Sequence, residues 1–129
     1  MESERKKQLQ QAYKMAPTFY GVVQIENLTN HKIFIDTVPN LHNRWQFYQL
    51  NLNKDFYRNT PLQADWDAQG ADDFAYTVLW KDDAADVINM RATLKDLKLK
   101  WFHKLEPFDE RGYNRRPKDW EENIDEQRD

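Results

Sequence analysis

The chain has 129 residues, enough for one domain with a modest core. Charged residues make up 32% and no apolar run is long enough to span a bilayer, and with no cysteine there are no disulfides, thiolate metal sites or cysteine nucleophile. A net charge of −3 counts against strong non-specific attraction to nucleic acid, while leaving room for a local basic groove.

The N-terminus, MESERKKQLQ, is charged and lacks the apolar stretch of a signal peptide, so a cytoplasmic location is expected. Ser3 is placed to cap a helix running to about Ala12, whose apolar residues Leu9 and Tyr13 are sparse. Tyr20 to Ile25 is rich in β-branched residues and predicts a strand. "ENLTNH" supplies a turn, and Lys32 to Asp36 a second strand, so the pair reads as a hairpin. Pro39 and Asn40 open a helix with Leu41, Trp45 and Tyr48 at i, i+4, i+7 as its buried face.

"NKDFYRNT" reads as a loop. Thr60 followed by Pro61 combines a cap with a first-turn proline and opens a short helix ending at Gly70. Phe74 to Trp80, "FAYTVLW", is the strongest strand. The acidic turn "KDDAAD" follows, its Asp82, Asp83 and Asp86 favoured by the dipole of the next helix. That helix is predicted over Asp86 to Leu105, with Val87, Met90, Leu94, Leu97, Trp101 and Leu105 as one apolar stripe. From Arg115 the chain is nearly all charged or amide residues, a loosely held tail by composition. Trp120 is its exception, either an anchor or a contact with another chain.

The order of these elements and several local motifs resemble the GIY-YIG nuclease superfamily. Gly21-Val22-Val23 stands in the place of "GIY" and Phe34-Ile35-Asp36 in that of "YIG". Asn40-Leu41-His42-Asn43-Arg44 matches "NLxxR". "NTPLQADWDAQGADDF" fits the middle motif, and "KWFHKLEPFDERGYN" the end of the fold. The resemblance covers about Phe19 to Asn114. It implies an α+β domain over 19–114, a small three-stranded antiparallel sheet flanked by helices. Residues 1–18 are then an N-terminal helical extension and 115–129 a charged C-terminal tail.

The resemblance also implies what chemistry would require. Family members hydrolyse a phosphodiester with one divalent metal, usually Mg²⁺ or Mn²⁺, held by a glutamate. A tyrosine hydroxyl helps deprotonate water, an arginine neutralises charge developing on the phosphate, and an asparagine lies close by. Gly21, Arg44 and Asn114 keep the family's residue types. Val23 and Phe34 replace the two tyrosines, Asp36 the second glycine, and Lys98 the metal-binding glutamate.

Valine and phenylalanine transfer no proton, and a charged lysine has no lone pair for a metal. Each such loss typically costs roughly 10²–10⁴-fold in rate. The family's standard mechanism is therefore not expected here. No metal ligand and no cofactor is assigned, with Mg²⁺ or Mn²⁺ needed only if the site is rearranged. Two of the replacements look paired, since Asp36 adds a negative charge and Lys98 reverses one; the pair reads either as a salt bridge where the resemblance has a metal or as two unrelated surface changes.

His31, His42 and His103 show no metal-ligand spacing. Arg91, Lys95 and Lys98 are spaced i, i+4, i+7 beside the apolar stripe and form a basic row, which Arg44 joins if the old site is retained. These four are the candidate nucleic-acid contacts. The alternative is a solvated flank pairing with the acidic tail. Three functions stay open: a non-catalytic module binding nucleic acid or another protein, a metal-dependent endonuclease with a rearranged site, and a structural or oligomer-forming protein.

Overall fold

The structure, a computed structural model, describes residues 17–118 and residue 120. The helix expected over Ser3 to Ala12 and the last nine residues lie outside these. Among the described residues no helix is long and apolar enough to cross a membrane.

Strand β1 (Phe19–Asn27) is the middle strand of a three-stranded antiparallel sheet, paired with β2 (Ile33–Val38) and β3 (Phe74–Asp83). Alternation sends Val23 and Ile25 to one face and Val22 to the other. The first face is covered by helices α1 (Arg44–Asn53) and α2 (Pro61–Gln69), through Tyr48, Leu52, Leu62 and Trp66. Helix α3 (Met90–Leu105) covers the second, where Phe102, Leu97 and Trp101 meet Val22 and Ile35. A strand covered on both faces carries a nearly unbroken apolar run, and "GVVQI" has one. Val22, Val23, Ile25, Ile35 and Val38 are wholly buried, each worth roughly 1.5–3 kcal/mol against exposure.

Both strands of the hairpin run two residues further than composition indicates. Asn27 closes the hairpin: its backbone N–H donates to the Lys32 carbonyl at 2.9 Å, and its buried Oδ1 accepts from the Thr29 N–H at 2.9 Å. Its amide also donates to the Tyr113 hydroxyl at 2.9 Å and exchanges hydrogen bonds with Gln69. The turn is thereby tied to α2 and to the end of the domain.

Helix α1 starts at Arg44 rather than near Asn40, because Asn43 sits at φ 54° and breaks the helical path. The expected face holds: Tyr48 is buried, and Leu41 and Trp45 pack against the same cluster. Thr60 caps α2 through the Gln63 N–H, with Pro61 in the first turn, as expected. Gln63 then closes the end of α1, donating to the Leu52 carbonyl at 2.8 Å, while the Trp66 indole donates to Asn53 at 3.0 Å. The "LQADW" stretch is thus a helix-to-helix clasp.

The turn expected at "KDDAAD" is corrected. Lys81, Asp82 and Asp83 continue β3, opposite Gly21, Tyr20 and Phe19. Asp83 caps only a short 3-10 turn at Ala84–Asp86. The long helix begins at Met90, capped by Asn89, so Val87 lies before it and Ile88 is fully exposed.

A shift of register between Val22 and Val23 presses β3 onto Gly21, where an added Cβ would fall 2.1 Å from the Trp80 carbonyl oxygen. Beyond α3, residues 111–114 run beside the outer edge of β2, with Gly112 bridged in parallel to Ile33. A Cβ at Gly112 would lie 2.2 Å from the Pro107 oxygen and 2.6 Å from that of Ile33. Gly112→Ala should therefore cost at least about 1–3 kcal/mol, read as a lower urea midpoint, with faster amide exchange at Ile33 and Tyr113.

Candidate functional site

The candidate residues meet where β2 passes between α1 and α3. Along β2, Phe34 and Val38 face the α1 side and Ile33 and Ile35 the α3 side. Asp36 shares the face of Phe34 and Val38 by alternation. Tyr48, one turn after Arg44 on α1, donates a 2.5 Å hydrogen bond to Asp36 Oδ2. Lys98 reaches the same carboxylate from α3, its Nζ 3.3 Å from Oδ1. Asp36 Oδ1 also accepts from the Thr37 N–H at 2.9 Å. Of the two readings of Asp36 and Lys98, the salt bridge is the one present, joined by a tyrosine that the charge argument does not foresee.

Arg44 lies over aromatic rings, its guanidinium carbon 4.3 Å from the Phe47 ring centroid and 5.5 Å from that of Tyr48. Its Nε is buried and has no hydrogen-bond partner among the described residues, and the same holds for the hydroxyl of Tyr76. Tyr76 on β3 stacks on Trp45, next to Arg44 in α1. Burial, reinforced by the Asp36 carboxylate, pushes the Tyr48 phenol far above its usual range, with Arg44 opposing. Burial also raises Tyr76, again against Arg44.

Val23 and Phe34, where the resemblance calls for tyrosines, both pack into the interior. Val23 is completely buried in the sheet, between Asp36 and Val78. Phe34 packs edge-on against Tyr48 at 6.2 Å. Asn114 uses its whole amide as a piece of strand: Oδ1 accepts from the Ile35 N–H and Nδ2 donates to the Ile35 carbonyl, both at 2.8 Å. Gly21 is required by the close approach of β3.

Arg91 and Lys95 are exposed on α3, while Lys98 is turned toward Asp36. Arg44 does not continue their row. It belongs to α1, on the other side of the sheet, and meets Lys98 only through the shared Asp36–Tyr48 pair. A groove of about 690 Å³ between the β3 segment Val78–Lys81 and Leu41 contains none of these residues.

A divalent metal does not fit this arrangement. The one carboxylate at the centre already faces an ammonium and two hydrogen-bond donors. Asp96, two residues before Lys98, instead borders a shallow pocket with Tyr20 and Lys100. Among the described residues no group of three His, Asp or Glu is placed to hold a metal.

Missed at the level of sequence were the Tyr48 hydroxyl, Tyr76 and the Asn27–Gln69–Tyr113 network. The only available signal was that Tyr48 stands four residues after Arg44, on the same helical face. A hydrogen bond to a charged acceptor contributes about 1.5–3 kcal/mol, whereas an ion pair as solvated as Lys98–Asp36 contributes at most about 1 kcal/mol. Tyr48→Phe should thus destabilise the chain clearly more than Lys98→Met in matched urea titrations.

The tyrosines give a second expectation. Tyr113, buried and donating to Asp65 at 2.6 Å, is pushed up to about 12 from 10.0. Tyr48 and Tyr76 move the same way. The folded chain keeps these protons where the unfolded chain has released them, so stability is full below pH 10.0 and falls as the pH rises toward and beyond 12. Phenolate absorbance should show three tyrosines ionising late, together with alkaline unfolding.

No protein-family model matches the sequence, and no curated protein matches it. Solved structures do. A mutant of the catalytic domain of the intron endonuclease I-TevI aligns with TM-score 0.60 and 21% identity over 74% of this chain and 92% of that one. The catalytic domain of the homing endonuclease I-TevI aligns with TM-score 0.59 and 20% identity, over 74% and 96%. The three-stranded sheet with its three helices is the GIY-YIG catalytic-domain fold.

Proposed function

We propose that this chain is a nuclease-fold module that does not hydrolyse phosphodiesters and serves in binding, with nucleic acid as its ligand class. One observation carries the first half: Lys98 Nζ stands 3.3 Å from Asp36, in the place where the resemblance calls for a metal ligand. A fixed ammonium repels a divalent cation, and Tyr48 spends its hydroxyl on the same carboxylate. Val23 and Phe34 offer no proton acceptor for water.

The second half draws on what remains. Arg44 keeps a guanidinium whose Nε has no partner among the described residues. Arg91 and Lys95 are exposed cations on one face of α3. Guanidinium and ammonium groups so placed suit phosphate oxygens. The similar structures are named as endonuclease catalytic domains, which favours nucleic acid over a protein ligand.

A plasmid-nicking assay with Mg²⁺ and Mn²⁺, run beside Arg44→Ala, tests the absence of cutting. No metal-dependent nicking is expected above that of the variant. Nicking by the native chain that Arg44→Ala removes would establish a rearranged active site instead. Binding is read from the mobility of labelled DNA against salt. A shift is expected at low salt, and the slope of log affinity against log salt should flatten by roughly one in Lys95→Ala. No shift at any salt would favour a purely structural protein.

A further inference from the structure

A separate cavity opens beside β2. It has a volume of about 620 Å³ and lies between Phe34, the turn that enters α2 at Asn59 to Pro61, and the segment 109–115. Small-molecule sites typically measure about 300–1,000 Å³. None of Asp36, Arg44, Tyr48 or Lys98 lines it. Its apolar surface comes from Phe34, which is half-buried, and from Pro61 and Tyr113. The Tyr113 ring is fixed, because its hydroxyl donates to Asp65 at 2.6 Å. The Lys32 ammonium lies over that ring, 5.8 Å from its centroid.

The polar side chains around this cavity divide into two sets. The first is already committed. The Thr60 hydroxyl donates to the Tyr57 carbonyl at 2.6 Å, and the Asn114 amide is bonded twice to Ile35. Asp109, the one carboxylate in the lining, is ion-paired to Arg116 at 2.6 Å. The second set is uncommitted. The Lys32 ammonium, the Arg115 guanidinium and the Asn59 carboxamide make no hydrogen bond or ion pair among the described residues. Two cations and an amide thus line a cavity that also offers an aromatic ring.

Each of these groups suits one part of the same ligand. A lysine meets a phosphate as a point charge and an arginine as a fork. A carboxamide presents a donor and an acceptor side by side, the pattern that matches the edge of a base. An aromatic ring takes the face of a base whatever its sequence. We propose that this cavity binds a nucleoside phosphate, with the phosphate on Lys32 and Arg115, the base against Phe34 and Pro61, and the base edge at Asn59. In a duplex the faces of a base are stacked and its pairing edge is occupied, so the cavity takes an unpaired nucleotide. The choice of ligand rests on the nucleic-acid reading above and adds to it a site for single strands. A free nucleotide carries the same chemistry, and the test separates the two sources.

The full chain is titrated with inorganic phosphate, with deoxyadenosine monophosphate, and with single- and double-stranded DNA of one sequence. The mononucleotide should move the amide signals of Phe34, Asn59 and Tyr113 and give nuclear Overhauser contacts from its base protons to the Phe34 ring. Phosphate alone should leave Phe34 unmoved. Lys32→Gln and Arg115→Gln should each flatten the slope of log affinity against log salt by roughly 0.7 for the single strand, and leave the duplex slope unchanged. Asn59→Gly suits the backbone there, at φ 66°, and should weaken single-strand binding severalfold with the slope unchanged. The proposal is overturned if the mononucleotide makes no contact with Phe34, or if phosphate alone reproduces its shifts. It is also overturned if Lys32→Gln and Arg115→Gln weaken single strand and duplex alike. Duplex binding that Lys95→Ala weakens would in those cases still carry the nucleic-acid reading. Mononucleotide contacts at the cavity without binding of any strand would make the free nucleotide the ligand and overturn that reading alone.

Discussion

A carboxylate held against a packed sheet needs both a counter-charge and hydrogen-bond donors. Asp36 takes all of them from different parts of the chain. Its own strand supplies the Thr37 N–H, α1 supplies the Tyr48 hydroxyl, and α3 supplies the Lys98 ammonium. The two helices lie on opposite faces of the sheet, so this side chain is where their positions are set relative to each other. The Thr37 hydroxyl adds a nearby tie, donating to the Leu94 carbonyl of α3 at 3.2 Å.

The same strand is an edge strand, and unpaired edges invite association. Its outward groups are met one after another. The Ile33 N–H donates to the Arg111 carbonyl, the Ile35 N–H to Asn114, and the Thr37 N–H to Asp36. The end of the domain thus works as a short substitute strand, which explains why Gly112 and Asn114 are needed there. Asn114 and Gly21 thus each have a structural role in the fold. Arg44 is different: packing on Phe47 and Tyr48 accounts for its stem and ring contacts, and not for an unpartnered Nε.

Much of this was legible from residues alone. Strands rich in β-branched residues, the Thr60-Pro61 helix start and the charge reversal at Asp36 and Lys98 all point where the structure goes. The misreadings share a cause, in that pairing partners outweigh local composition. Lys81 to Asp83 look like a turn, yet β1 extends far enough to hold them as strand, with their charges at a solvated edge. Val87 fits the spacing of the apolar stripe by coincidence, because Asn89 caps the helix after it. The Tyr48 hydroxyl was invisible because its acceptor is twelve residues away on another element. The Asn27 network joins positions up to 86 residues apart, beyond any periodicity.

The fold is that of a nuclease catalytic domain, and where β2 passes between α1 and α3 the Asp36 carboxylate is ion-paired to Lys98 and hydrogen-bonded to Tyr48. The most direct measurement is the amide spectrum of the full chain titrated with Mn²⁺, whose unpaired electrons broaden signals close to a bound ion. No selective broadening is expected at Asp36, Thr37 and Tyr48 when metal and protein are equimolar. Stoichiometric broadening confined to those residues, and abolished by Asp36→Asn, would contradict it.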